Sequence, residues 1–164
     1  MSLAARLSSL SSVSPVRLVI RGGLPTQDKD DSPEKILQTH KLTALVVDDE
    51  LFVAWHLETM LQEMGLEVIG IASTGLEAIA LAEEKKPDLV FMDVNLNQGI
   101  DGIEAARRIR STHPTRIVFV TAYSDGATRG RIEVELPGAS VLAKPATFGQ
   151  LRATISEAGG PGNS

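Results

Sequence analysis

Four short apolar runs in this chain end in side chains that can do chemistry. "TALVV" (43–47) is followed at once by Asp48, Asp49 and Glu50, "LVFM" (89–92) by Asp93, "RIVFV" (116–120) by Thr121 and "SVLA" (140–143) by Lys144. Adjacent carboxylates repel one another, so three in succession call for full hydration or for a positive partner. With no thiol or imidazole beside them, close carboxylates suit a hard cation held through oxygen and water, and Mg2+ is the best match. A lysine across from them offers a point charge to a phosphoryl group or a carboxylate, and a threonine hydroxyl can donate to a phosphoryl oxygen. An aspartate between such a cation and a lysine, with no base nearby, is placed to be the nucleophile itself. It is ionised at neutral pH, and aspartyl phosphates are a known covalent outcome. Cation and lysine would together neutralise charge on the transferred oxygens.

These side chains can meet only if the elements carrying them are ordered correctly. The four runs and "EVIGIA" (67–72) alternate with helical patterns. Three of the runs are continuous and not alternating, as expected of parallel strands covered on both faces. "EVIGIA" contains a glycine and an acid and reads as an edge strand. The first helix spans about 50–64, with Ala54, Leu57, Leu61 and Met64 as its stripe and Gly65 as its C-cap. The second runs over 74–86 from Ser73 or Thr74, marked by Leu76, Ile79, Ala80 and Ala82; lysines suit its carboxyl end, and Pro87 stops it. Ile103, Ala106, Ile109 and Arg110 mark a third helix ended by Pro114, a short fourth lies near 127–135, and a fifth runs from Thr147 to about Ala158.

Five βα units in a row imply an α/β fold, an open doubly wound parallel sheet in the flavodoxin-like order 2-1-3-4-5. In such a sheet the carboxyl ends of the strands share one rim, and ligands bind where the strand order reverses, between strands 1 and 3. That would collect Asp48, Asp49, Asp93, Thr121 and Lys144 in one shallow depression, which explains the run of acids.

The 164 residues suffice for one ordinary domain, and 43% hydrophobic content supports a core. A net charge of −5 argues against direct nucleic-acid binding. The absence of cysteine excludes disulfides and thiolate metal sites and is compatible with a reducing compartment. No apolar run approaches the roughly 20 residues needed to cross a bilayer, so no membrane insertion is expected. Composition changes near residue 40. Residues 1–27 hold Arg6, Arg17 and Arg21 and no acid, and "DKDDSPEK" follows. Residues 1–40 are read as a disordered extension, with "VRLVI" (16–20) as a possible short strand. The extension fits a targeting peptide, a plain tail or a start codon assigned too far upstream. Residues 41–158 form the domain, and 159–164 a flexible tail.

"LVVDDE", "LVFMDVNL", "VFVTAYSD" and "VLAKPA" resemble, in order and spacing, the receiver domain of bacterial two-component response regulators, of the CheY-like stand-alone type. The resemblance covers about residues 41–158. It implies that Asp93 is the phosphoacceptor, that Asp48, Asp49 and Asp93 hold Mg2+ together with the backbone carbonyl of Asn95, and that Thr121 and Lys144 contact the phosphoryl group. It further implies a cytoplasmic protein that is no enzyme beyond catalysing its own phosphorylation and dephosphorylation. Its phosphoryl donor would be a sensor histidine kinase or phosphotransfer protein, its output an unknown partner protein. In the family the Lys144–Pro145 bond is usually cis. Two features depart from the pattern. The loop "DVNLNQGIDG" lacks the usual proline and is one residue longer, and Val141 stands where an aromatic switch residue is common. Tyr123 could substitute for that ring or shield the site from water; Asn95 and Tyr123 flank the route of an attacking water.

A solvated turn would account for Asp48 and Asp49 alone but not for Asp93 and Lys144 at matching strand ends. Glu50 is expected to start the first helix, where an acid favours the helix dipole. His56 and His113 read as surface histidines, His40 as part of the extension, Trp55 as packed beside the first helix and "ARRIR" (106–110) as a solvated face. With the chain stopping at Ser164, the expectation is action through its own surface, which the resemblance puts on the fourth helix, fifth strand and fifth helix. The leading function is a phosphorylation switch for a partner protein. A phosphate sink without downstream output, an aspartate-nucleophile phosphohydrolase and a docking-only domain are the alternatives.

Overall fold

A computed structural model describes residues 40–122 and 125–159. The extension up to residue 39, with "VRLVI", and likewise Tyr123 and the tail beyond 159, lie outside the described residues. Among the described residues five strands alternate with five helices: β1 (Thr43–Val47), α1 (Leu51–Glu63), β2 (Glu67–Ala72), α2 (Gly75–Lys85), β3 (Leu89–Met92), α3 (Gly102–Thr112), β4 (Arg116–Thr121), α4 (Gly126–Glu135), β5 (Ser140–Ala143) and α5 (Phe148–Gly159). All strand pairs are parallel, in the order β2-β1-β3-β4-β5, as expected.

Why the strand runs are continuously apolar follows from the pleat. Leu45 and Val47 of β1 join a core with α2, α3 and α4, through residues such as Ala78, Ile103, Ile109 and Ile132. Ala44 and Val46 point the other way, into a core with Ala54, Leu57 and Leu61 of α1 and Leu151 of α5. Successive side chains face opposite layers, so both phases of the strand must be hydrophobic. Among the described residues β2 pairs with β1 alone and is mostly half-buried, consistent with an edge.

Local signals fix most helix ends. Gly65, at φ 89°, follows the C-cap of α1, and Leu66 N–H returns to Leu61 O at 3.0 Å. Thr74 caps α2 by accepting from Glu77 N–H, and the Glu77 carboxylate accepts from Ser73 N–H, one residue before the cap, at 2.8 Å. Two expectations need correction. Met60 and not Met64 completes the buried stripe of α1, because Met64 is already the C-cap where the chain leaves helical geometry. Trp55 lies within α1 and is 48% exposed, stacked edge-to-face on Phe52 at 5.9 Å, because it sits on the shoulder beside the Ala54–Leu57–Leu61 stripe.

Candidate functional site

Register brings the polar residues to one rim. Val47 is paired with both Ala72 and Met92, and Thr121 with Ala143, so the next residue of each strand emerges level with its neighbours. The main-chain ladder also runs one residue past the strands. Asp48 N–H donates to Ala72 O at 3.0 Å, Asp93 N–H to Val47 O at 2.8 Å, and Lys144 N–H to Thr121 O at 3.0 Å. The reactive side chains therefore sit on backbone held by the sheet.

Their side chains converge. Lys144 Nζ lies 2.7 Å from Asp48 Oδ2 and 2.8 Å from Asp93 Oδ2. A carboxylate oxygen from each of Asp48, Asp49 and Asp93 lies within 4.8 Å of the others. Asp48 Oδ1 accepts from Glu50 N–H at 3.0 Å, and Asp93 Oδ1 from Asn95 N–H at 3.3 Å. Asp49 accepts from the side-chain amide of Asn97. A hollow of about 230 Å³ opens here, lined by Asp49, Glu50, Asp93, Asn95, Asn97, Ala122 and Lys144. Thr121 ends β4 fully buried, and its neighbour Ala122 lines the hollow. A larger hollow of about 380 Å³ lies beside it between α1 and Pro145, but its walls are apolar apart from His56 and Lys144, and no acid faces it.

Electrostatics favour a cation. Burial pushes the Asp48 carboxyl above its ordinary range, and the hydrogen bond from Lys144 offsets this only in part. Burial also opposes the charge on Lys144, but hydrogen bonds to Asp48 and Asp93 outweigh it and hold the ammonium above its usual value. The two shifts pull in opposite senses on one ion pair. Lys144 is firmly charged, whereas the carboxylates remain under-compensated, with three acids against one lysine. A hard divalent cation would meet oxygen ligands alone there, so the donor set fits Mg2+.

The β3–α3 loop is anchored at its far end. Asp101 caps α3 by accepting from Glu104 N–H at 2.8 Å and also takes an ion pair from Arg131 of α4. Gly102 N–H donates to Val94 O at 2.9 Å, and a Cβ at Gly102 would stand 1.9 Å from Asp93 O. Only glycine allows α3 to start so close to Asp93. Sequence reasoning used this Asp-Gly pair merely to count loop length; an acid three residues before Glu104 and ahead of an apolar helical pattern was the available signal.

The remaining candidates fall elsewhere. Glu50 is the N-cap residue of α1 and borders the hollow. His56 lines the apolar hollow, His113 is the C-cap of α3, and His40 is exposed. In "ARRIR", Arg107 and Arg108 pair with Glu104, and Arg110 donates to Pro137 O, a solvated face. Val141 is half-buried against the α2–α3–α4 core. The Lys144–Pro145 peptide is cis.

Residues 44–156 match the family model for the response regulator receiver domain. The chain is 31% identical over 131 residues to the phyllosphere-induced regulator PhyR of Methylorubrum extorquens, covering 79% of this chain and 48% of that protein. It is 42% identical over 101 residues to the transcriptional regulatory protein PdtaR of Mycobacterium tuberculosis, covering 61% of this chain and 45% of that protein. The chain thus spans less than half the length of either relative. Among solved structures, the signal receiver domain of a modulated diguanylate cyclase from Desulfovibrio desulfuricans superposes with a TM-score of 0.67 at 30% identity, over 72% of this chain and 93% of the other. The receiver domain of Erythrobacter litoralis PhyR gives 0.66 at 28%, over 76% and 94%.

Proposed function

Since the chain belongs to the response regulator receiver family, we propose that Asp93 takes a phosphoryl group from a histidine kinase or phosphotransfer protein, and that the resulting change controls a partner protein. The observation that carries this is Lys144 Nζ bridging Asp48 and Asp93 at 2.7 and 2.8 Å, beside a hollow that Asp49 and Asp93 both line.

A carboxylate oxygen of Asp93 attacks the phosphorus of the donor phosphohistidine. The P–N bond breaks, and the leaving imidazole keeps the electron pair and gains a proton. Asp48, Asp49, Asp93 and the carbonyl of Asn95 would hold Mg2+, which when bound supplies positive charge for the phosphoryl oxygens. Lys144 moves its hydrogen bond from Asp93 to the arriving phosphoryl group, leaving its bond to Asp48. Thr121 supplies a hydroxyl at the end of β4. Hydrolysis by water returns Asp93 to its carboxylate. Val141 offers no ring to flip, and on this reading movement of Thr121 carries the signal in its place. Among the described residues no helix is long and apolar enough to cross a membrane.

The test is incubation with a small phosphodonor and Mg2+ followed by intact mass. The wild type should gain one phosphoryl group and Asp93→Asn none. Equal labelling of both would dismiss Asp93 as the acceptor.

A further inference from the structure

The three acids are not held alike. Asp48 and Asp93 share the ammonium of Lys144, and each accepts one backbone N–H from a residue two positions on. Asp49 makes no ion pair among the described residues. Its partner is Asn97 of the β3–α3 loop, which lines the same hollow and donates its side-chain N–H to Asp49 Oδ2. Asn97 is itself exposed, so it serves no core, and its contact with Asp49 links residues 48 positions apart.

We propose that Asn97 is the positioning residue for the Asp49 carboxylate in cation binding. The inference rests on the Mg2+ reading of the cluster given above. A neutral amide suits the task better than a lysine or arginine would. It fixes the carboxylate's orientation through one engaged oxygen, without cancelling the negative charge that attracts the cation. Hydrogen-bond donors behind ligating carboxylates act this way, and their loss typically costs about 10- to 100-fold in metal affinity. The loop that carries Asn97 is tied down by the Asp101 cap and by Gly102 N–H on Val94 O, so the amide approaches Asp49 from an anchored segment.

The experiment follows the thermal unfolding midpoint of the full chain against Mg2+ concentration, because a ligand of the native state raises the midpoint by mass action. Wild type, Asn97→Ala, Asn97→Gln and Asp49→Ala are compared, each also in chelator. Asn97→Ala should need about tenfold more Mg2+ for the same rise, with an unchanged midpoint in chelator. Asn97→Gln, which keeps the donor on a longer arm, should fall between. Coincident curves for wild type and Asn97→Ala, or a tighter response in the variant, would overturn the role of Asn97. If the wild type shows no Mg2+ response, or Asp49→Ala responds as the wild type does, the metal reading itself fails, and the proposal with it. A wild-type response that Asp49→Ala abolishes and Asn97→Ala retains in full removes Asn97 alone.

Discussion

Lys144 Nζ lies 2.8 Å from Asp93 Oδ2, although β4 separates the strands that carry the two residues. The lysine spans that strand at the rim and also reaches Asp48 on β1, so one ammonium serves two nearly buried carboxylates.

Replacing Lys144 with Met should therefore strand Asp48 without its cation. In chelator we expect a loss of about 2 kcal/mol, in line with breaking a hydrogen-bonded charge pair. Mg2+ should restore part of it, because the ion supplies positive charge at the same acids. Urea unfolding with and without Mg2+ measures both effects. Equal losses in the two conditions would contradict the shared site.

Asp48→Asn tests the same cluster from the acid side. Burial already disfavours the Asp48 carboxylate. The variant should be at least as stable as the wild type in chelator, yet should lose the stabilisation by Mg2+. A variant clearly less stable in chelator would show that the Lys144 pair outweighs the burial cost.

Gly102→Ala should damage the site more than the fold. The added methyl would stand 1.9 Å from Asp93 O, so α3 or the Asp93 backbone must move. A cost of about 1–3 kcal/mol is expected for such overpacking. Labelling of Asp93 by a phosphodonor should drop at least tenfold in folded protein. Full labelling at wild-type stability would show that the loop relaxes freely.

Asp101 gives a pH-dependent contribution. Burial raises its carboxyl, but the hydrogen bonds from Arg131 and from Glu104 N–H outweigh this and hold it below the usual carboxylate range. A folded value below the unfolded one means stability that is fully present above the unfolded value of 3.8 and lost as pH falls through the folded one. Asp101→Ala should cost about 1 kcal/mol at pH 7 as a lost helix cap, and the gap to wild type should narrow below pH 3.8. Denaturant midpoints at several pH values read this directly, and a gap that widens on acidification would refute it.

Much of the site was legible because continuous apolar runs mark buried strands, and the first polar residue after each must emerge at the rim. Asp48, Asp49, Asp93 and Lys144 are found that way. Asn97 was not, since the path of the irregular β3–α3 loop has no period, and an asparagine four residues after an acid reads as ordinary turn chemistry. Exposure on the helices was read less well. Leu76 lies within the helical pattern of α2 yet is 59% exposed, because the small residues Gly75, Ala78 and Ala82 supply the buried face. Trp55 escaped for a similar reason, since apolar character alone does not say which shoulder of a helix turns outward.

The hydrogen bonds that carry the sheet one residue past β1, β3 and β5 have a bearing on timing. Amides at 48, 93 and 144 are main-chain donors to neighbouring strands, so their protons exchange with solvent when these rim bonds open. Exchange at these three amides therefore times the opening of the rim that carries the chemistry.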